Sequence, residues 1–236
     1  MLKTENRVLP PEFGLLCWNV HKQNRGMGFN AYFEELVRHH AIDLVALQEV
    51  KIHLHHERFG DHFHFSSAPN IRFLNQVYGV LNGSRIREEE TFSILSAHRE
   101  SVIRTRKSAV FSYYRLDNGD TLLLANLHAI NFRATKIYRR EIDTIFERVA
   151  HHMGPMIVTG DFNSWNANRM GIVLQRMEAL QLQRVQMDRD YLIKSFMKHK
   201  LDHIFYRGLK LIESYVIDVE RFSDHNALCA RFSTGE

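Results

Sequence analysis

Two cysteines, four prolines and no apolar run long enough to cross a membrane are the first limits on this 236-residue chain. Cys17 and Cys229 both lie in strand-like apolar segments, where a thiol serves as a small buried hydrophobe. That excludes a disulfide-stapled scaffold and fits a reducing cytoplasm. The longest apolar runs, such as Leu122 to Ala125, and the polar stretch from Met1 to Pro10 contain no signal-peptide core. The expectation is a soluble, unexported, cytoplasmic protein with no stable membrane association. Low-complexity tracts and repeat periods are missing too, which excludes solenoids and long disordered arms. Neither sign of charge dominates: 31 Lys and Arg against 27 Asp and Glu leave +4 and a pI near 9.1. This is a mild lean toward an anionic partner without a polybasic tail.

What is present is ordinary globular material, 44% hydrophobic and 25% charged, at a length expected to fold as one domain over residues 1–236. Gly14 to Val20 (GLLCWNV) and Asp43 to Gln48 (DLVALQ) read as buried strands. Between them Asn30 is positioned to cap a helix through Arg38, with Phe33, Leu36 and Val37 on one face. Lys51 to Pro69, rich in His and Phe without periodicity, reads as a mobile loop. Strands follow at Gln76 to Leu81, Ala109 to Leu116 and Thr121 to Leu127, the last two joined by Asp117-Asn118-Gly119-Asp120 with its Asn-Gly hairpin signal.

Thr135 to His152 is the clearest helix, because Tyr138, Ile142, Ile145 and Val149 share one face and Gly154-Pro155 stops it. A strand at Met156 to Thr159 and a helix at Ala167 to Leu180 come next. Strands at Leu201 to Tyr206, Leu211 to Val219 and Ala227 to Phe232 close the pattern. Asn19, Glu49, His128, Asp161, Asp202 and Asp224 each sit at or beside the end of an apolar run, where α/β and sandwich folds assemble sites.

The chemistry of these positions is specific. Gly160-Asp161-Phe162-Asn163 follows a strand directly, so a glycine turn presents a carboxylate and an amide together; the same residues also suit a plain Asx turn. Glu49 offers the hard oxygen that Mg²⁺ prefers, or is the first solvated residue after a strand. Asn126 and His128 alternate at a strand end and point the same way. Asp224 and His225 are adjacent and serve one site only if their segment is irregular. Asp202 supplies a second carboxylate, and a His held by a carboxylate is a usual general base or charge stabiliser.

Taken in order, Trp18-Asn19, Gln48-Glu49, Asn126-Leu127-His128, Gly160-Asp161-Phe162-Asn163, Leu201-Asp202-His203 and Ser223-Asp224-His225 resemble the endonuclease/exonuclease/phosphatase superfamily. NLHAINF, GDFNSW, LDHIFYRGL and SDHN resemble its YafD-like bacterial subgroup. The resemblance implies an α+β fold of DNase I-like type: a four-layer αββα sandwich of two mixed β-sheets flanked by helices, with a metal site where strands end. By the same carry-over Glu49 is the main ligand of Mg²⁺, with Mn²⁺ as substitute, Asn19 supports it and Asp224 stands near the metal. Asp161 orients or deprotonates the attacking water, Asn163 holds the phosphate, His225 oriented by Asp202 contacts the scissile phosphate, and His128 assists the leaving group. His21 stands where many members carry an acid or amide that helps the metal, so metal affinity is expected to differ. Every central signature keeps its reactive residue.

The implied activity is metal-dependent hydrolysis of a phosphodiester by in-line attack of water. Nucleic acid is the favoured substrate, because Asn131-Phe132-Arg133, Trp165 and the segment Arg104 to Lys107 combine cations with aromatics. Arg133 and Trp165 are the substrate-binding candidates. A lipid or small-molecule phosphatase is the alternative. A metal-binding or interaction module on His53, His55, His56, His62 and His64 is the reading from a different class. No protein partner is inferable.

Overall fold

The computed structural model describes residues 7–24, 26, 28–52, 56, 58–73, 76–99, 106–219 and 221–235. Its strands in chain order are β1 (Glu12–Asn19), β2 (Ile42–Ile52), β3 (Arg58–Phe59), β4 (Phe63–Phe73), β5 (Gln76–Ser84), β6 (Glu90–Arg99), β7 (Arg106–Arg115) and β8 (Thr121–His128). They continue as β9 (Met156–Asp161), β10 (Gln183–Arg184), β11 (Ser195–Phe196), β12 (His199–Lys200), β13 (Asp202–Arg207), β14 (Lys210–Ile217) and β15 (Ala227–Ser233). The helices are α1 (Phe29–His39), α2 (Thr135–Val149) and α3 (Ala167–Ala179).

One sheet runs β14-β15-β1-β2-β5-β4-β3 and the other β10-β13-β9-β8-β7-β6, each with one parallel pair, β1 with β2 and β8 with β9. Parallel neighbours need a crossover, and α1 and α2 provide it. Alternation along the strands sorts the side chains into layers. Leu15, Cys17, Leu44 and Ala46 meet Leu122, Leu124, Ile157 and Ile204 between the sheets. Leu16, Trp18, Val45 and Leu47 face Phe29, Phe33 and Val37 of α1. On the far side Phe111, Leu123, Ala125 and Val158 face Tyr138, Ile142, Phe146, Ile172 and Val173 of α2 and α3. The four layers are therefore α1, two mixed sheets, then α2 with α3, as the resemblance implied.

Local differences have physical causes. α1 is capped by Gly28 at φ 85°, a conformation that costs glycine little, and Asn30 falls within the first turn. The His- and Phe-rich stretch after Lys51 is largely strand: β2 continues to Ile52 beyond a register break, and β4 pairs with β5. β4 alternates only over its first half, with Phe63 and Phe65 on one face and Ser66 and Ala68 on the other, before its register breaks between Pro69 and Ile71, so the loop reading fails there. β6 has no apolar run longer than Ile94-Leu95 and is held as an edge by β7. Cys17 and Cys229 are buried free thiols. Among the described residues no helix is long and apolar enough to cross a membrane.

Two buried asparagines tie the sheets together. Asn126 on β8 donates to the Leu47 and Leu81 carbonyls of the opposite sheet and accepts from Gln48 Nε2 at 2.7 Å. Asn82 on β5 reaches the other way, donating to Ser112 Oγ and to the Leu124 carbonyl. Replacing Asn126 by Ala takes a donor from two buried carbonyls and leaves the Gln48 amide with Ala46 as its remaining oxygen partner. The expected loss is on the order of 3 kcal/mol of unfolding free energy in a urea titration, and a loss within error of zero would disprove the tie.

Candidate active site

Strand register brings the polar strand ends together. Across the parallel β8–β9 pair His128 lies opposite Asp161, and across the antiparallel β9–β13 pair Asp161 lies opposite Asp202. In the facing sheet Asn19 ends β1 opposite Gln48, one residue before Glu49. Glu49 occupies a bulge where the β2–β5 register breaks between Leu47 and Val50, with φ +51°. A left-handed backbone at a residue with a Cβ costs about 1–3 kcal/mol, and here it re-aims the carboxylate as bulges do. Gly160 has φ +135°, and a methyl there would stand 2.0 Å from the Leu127 carbonyl oxygen. Only glycine lets β8 and β9 close up and deliver Asp161 beside His128.

The side chains interlock. Asn19 donates through Nδ2 to Asp161 Oδ2 at 3.1 Å, while its Oδ1 accepts from the His21 amide. Asp161 Oδ1 accepts from the Asn163 amide, and the Asn163 side chain is committed to the Ala129 carbonyl. His128 Nε2 lies 3.4 Å from Asp161 Oδ2 and 3.8 Å from Glu49 Oε1. His225 Nδ1 is 2.8 Å from Asp202 Oδ2. The His225 segment is irregular and held from two sides: Trp18 donates from its indole to the His225 carbonyl, and Ser223 Oγ bonds the Asn19 carbonyl and the His225 amide.

The electrostatics follow from burial and neighbours. Burial alone would lower the His225 imidazole, but the charge and hydrogen bond of Asp202, then Asp161 and Asp224, outweigh it and raise it to about 9. Burial, reinforced by Asp202, raises the Asp161 carboxyl. Burial would raise Glu49 as well, yet His128, Lys107 and Lys22 hold it down at about 2. Burial and the Lys107 charge push His128 well below its usual value, so its imidazole is neutral and Nε2 accepts from the Lys107 ammonium at 2.8 Å.

The structure thus gathers Asn19, Glu49, His128, Asp161, Asn163, Asp202 and His225. Asp224 instead stands at the rim, 47% exposed, paired with Lys194 at 2.9 Å and His21 at 3.3 Å. Although their segment is irregular, Asp224 and His225 do not serve one site: His225 turns in to Asp202 while Asp224 stays at the rim with Lys194 and His21. Trp165 donates to Asn131 Oδ1, and the Arg133 carbonyl accepts from Arg169. Arg104, His53 and His55 lie outside the described residues. His62 is exposed beside Glu34, while His64 is buried in β4.

Three residues of this site were not singled out by the sequence. Lys107 lay within a basic segment, but nothing marked it as the cation beside His128; Lys22 carried no motif. Arg169 is fully buried in α3, bonds the Ile130 and Asn163 carbonyls and stacks on Tyr138 and Trp165. A cation inside an otherwise apolar helix face was the available signal.

Among the described residues the one group of three or more His, Cys, Asp or Glu with ligand atoms within 4.8 Å of each other is Asp161, Asp202 and His225. Asp202 Oδ1 is buried without a hydrogen-bond partner, and crowded carboxylates favour a hard cation. The donor set fits a divalent ion through carboxylate oxygens rather than through His225, whose Nδ1 is already engaged by Asp202.

The sequence profile of the Endonuclease/Exonuclease/phosphatase family matches residues 16–225. The UPF0294 protein of Vibrio cholerae serotype O1 is 33% identical over 230 residues, covering 95% of this chain and 79% of the relative. Among solved structures, the human Nocturnin catalytic domain with bound sulfate superimposes with TM-score 0.69 at 17% identity, covering 94% of this chain and 93% of that one. D. rerio TDP2 complexed with single strand DNA product gives TM-score 0.67 at 12% identity, covering 94% and 99%. At such identities these two structures speak to the fold alone.

In metal-free protein the imidazolium of His225 contributes stability that is complete below its unfolded pKa, about 6.5, and is lost as pH rises through about 9. Unfolding free energy measured in EDTA should therefore fall across that window. Asp202→Asn should flatten the slope, and an unaltered slope in the variant would show that Asp202 does not hold the charge.

Proposed function

The chain belongs to the endonuclease/exonuclease/phosphatase family, and from that premise we propose that it is a divalent-metal-dependent phosphodiesterase acting on nucleic acid. The observation that carries the proposal is the buried row His128–Asp161–Asp202 with His225 and Glu49 converging on it. Mg²⁺, or Mn²⁺ in its place, would be held by Glu49, Asn19 and the Asp161 and Asp202 carboxylates, and would supply charge neutralisation at the phosphoryl oxygens.

The chain's own groups divide the remaining work. Asp161 is a buried carboxylate whose raised pKa suits it to orient a water and take its proton. His225, fixed at Nδ1 by Asp202, has Nε2–H left to donate to a non-bridging phosphoryl oxygen. His128, neutral against Lys107, stands between Glu49 and Asp161 on the leaving-group side. Phosphate-ester hydrolysis is among the slowest uncatalysed reactions, so this pre-set array is where the acceleration must come from.

Nucleic acid is supported by the basic pI and by a rim of exposed aromatics. Phe132 is 55% and Phe196 49% exposed, and Phe196 packs edge-on against Trp165. Arg133 and Lys198 lie in the same loops, and bases stack on such surfaces while cations meet the backbone. One observation favours a second reading, a lipid or small-molecule phosphoester: a cavity of about 450 Å³ between β7, β8 and α2, lined by Ile94, Ile130, Ile142 and Ile145, borders Lys107 and His128. A pocket of that kind suits an apolar leaving group.

Hydrolysis of single- and double-stranded DNA, RNA, bis(p-nitrophenyl) phosphate and a phosphoinositide, each with Mg²⁺, Mn²⁺ or EDTA, separates the two. Metal-dependent cleavage of a nucleic acid is expected, reduced about 10²- to 10⁴-fold in His225→Ala. Turnover of the phosphoinositide alone would transfer the assignment to the second reading, and cleavage unaffected by EDTA would overturn both.

A further inference from the structure

Alternation along β13 sends neighbouring residues to opposite faces. Ile204 packs between the sheets and Asp202 shares its face, so His203 and Phe205 face outward under α3. Arg184 pairs with Phe205 across β10 and β13 and stands on that outer face with them. There a cavity of about 220 Å³ is lined by Arg184, Lys198, His199, Lys200, His203 and Met170. No carboxylate lines it. The cavity is tied to the loop that carries Asp161 and Asn163. Ser164 donates from Oγ to the Lys200 carbonyl at 3.0 Å, and the Phe162 amide donates to the Leu201 carbonyl at 2.9 Å.

The cations here outnumber the anions. Lys200 pairs with Asp190, and the charge of that same exposed carboxylate is the one acting on Arg184. Arg184 is half-buried, and among the described residues its guanidinium makes no hydrogen bond. A partly desolvated guanidinium without a hydrogen-bond partner is costly, and its planar fork matches the oxygens of a phosphate. At about 220 Å³ the cavity falls below the range of about 300–1,000 Å³ that encloses a drug-sized ligand, so it has room for a phosphate group rather than a whole nucleotide. The hairpin of β11 and β12 supplies Lys198, His199 and Lys200 and also presents Phe196 against Trp165. Its two-residue turn, Met197 and Lys198, takes φ of +48° and +68°, values that favour Asn and Gly, and strain of this kind gathers at binding sites.

We propose that this cavity is a second phosphate subsite, which holds a phosphate flanking the scissile linkage, with Arg184 as its principal donor and Lys198 and Lys200 as supporting charges. The inference rests on the reading of the chain as a phosphodiesterase of nucleic acid. A base stacked on Phe196 leaves its backbone beside the hairpin on which two of these cations stand. Engagement of the flanking phosphate fixes which linkage of the strand reaches the row of Asp161 and Asp202. A substrate must then carry at least two phosphates to use the subsite, which sets an oligonucleotide apart from a simple diester.

Fluorescence anisotropy of a labelled single-stranded oligonucleotide in EDTA, titrated with the full-length protein across a KCl series, tests this. Arg184→Gln should weaken binding about tenfold or more and lower the slope of log affinity against log salt by about 1. Arg184→Lys should keep the slope and lose part of the affinity, because it keeps the charge without the fork. Melting temperatures of both variants, measured in parallel, report their folding. With Mn²⁺ added, each linkage of the oligonucleotide is replaced in turn by a neutral methylphosphonate. At one position other than the cleaved one, kcat/KM of the wild type should fall about tenfold, while that of Arg184→Gln should fall no further. If Arg184→Gln keeps the affinity, salt slope and linkage profile of the wild type, the subsite is wrong while the nucleic-acid reading stands. If the wild type neither binds nor cleaves the oligonucleotide, both fail. Inorganic phosphate that then binds the wild type but not Arg184→Gln would show that the cavity serves the free anion, which overturns the flanking-phosphate role.

Discussion

The amide of Asn126 is the interaction on which the rest of this structure depends. Apolar side chains fill the space between the two sheets without specifying how one slides over the other, because dispersion and the hydrophobic effect are non-directional. A buried amide is directional and costly to leave unmatched. Asn126 spends both its donors on carbonyls of the facing sheet and its acceptor on Gln48, while Asn82 reaches across from the other side through its donors to Ser112 and Leu124. Gln48 precedes Glu49, and Asn126 lies two residues before His128. The polar clasp therefore sits directly beside the clustered strand-end residues and sets how far apart the two strand ends stand.

Above that clasp the backbone departs from regular strand at the positions that present chemistry. Glu49 at a bulge, Asn163 at φ +47° and Gly160 at φ +135° are all within reach of the same cluster. Strain of this kind persists only where surrounding contacts over-determine it. Here those contacts are the Lys22 amide on the Glu49 carbonyl, the Asn163 side chain on Ala129 and the close approach of Gly160 to Leu127. The charges are balanced just as locally: three carboxylates, from Glu49, Asp161 and Asp202, stand among Lys22, Lys107 and the His225 imidazolium.

Much of the architecture was legible because central strands such as β1, β8 and β9 are buried on both faces and so appear as continuous apolar runs, and because α2 repeats its apolar residues at helical spacing. The candidate site was legible through motifs standing at the ends of those runs. What stayed hidden depends on long-range packing. β4 and β6 draw their identity from the strands beside them rather than from their own pattern. Lys107 stands on β7 one residue before the Ser108–His128 pairing, and its contact with His128 depends on that long-range register, which spacing cannot reveal. Arg169 looks like a surface residue until the loops it staples have folded around it. Asp224 carried a motif but not a buried position, since its neighbour took the inward side.

The chain has two tryptophans, and both are fastened to this region. Trp18 donates its indole hydrogen to the carbonyl of His225, and Trp165 donates its own to Asn131 with the guanidinium of Arg169 over its ring. No indole elsewhere contributes background. Intrinsic emission is thus an optical readout of the region: a shift in the His225 segment would alter the hydrogen bond of one fluorophore, and a change around Asn131 and Arg169 would alter the surroundings of the other. Changes at this cluster can be followed in the unmodified protein, in real time and without a label.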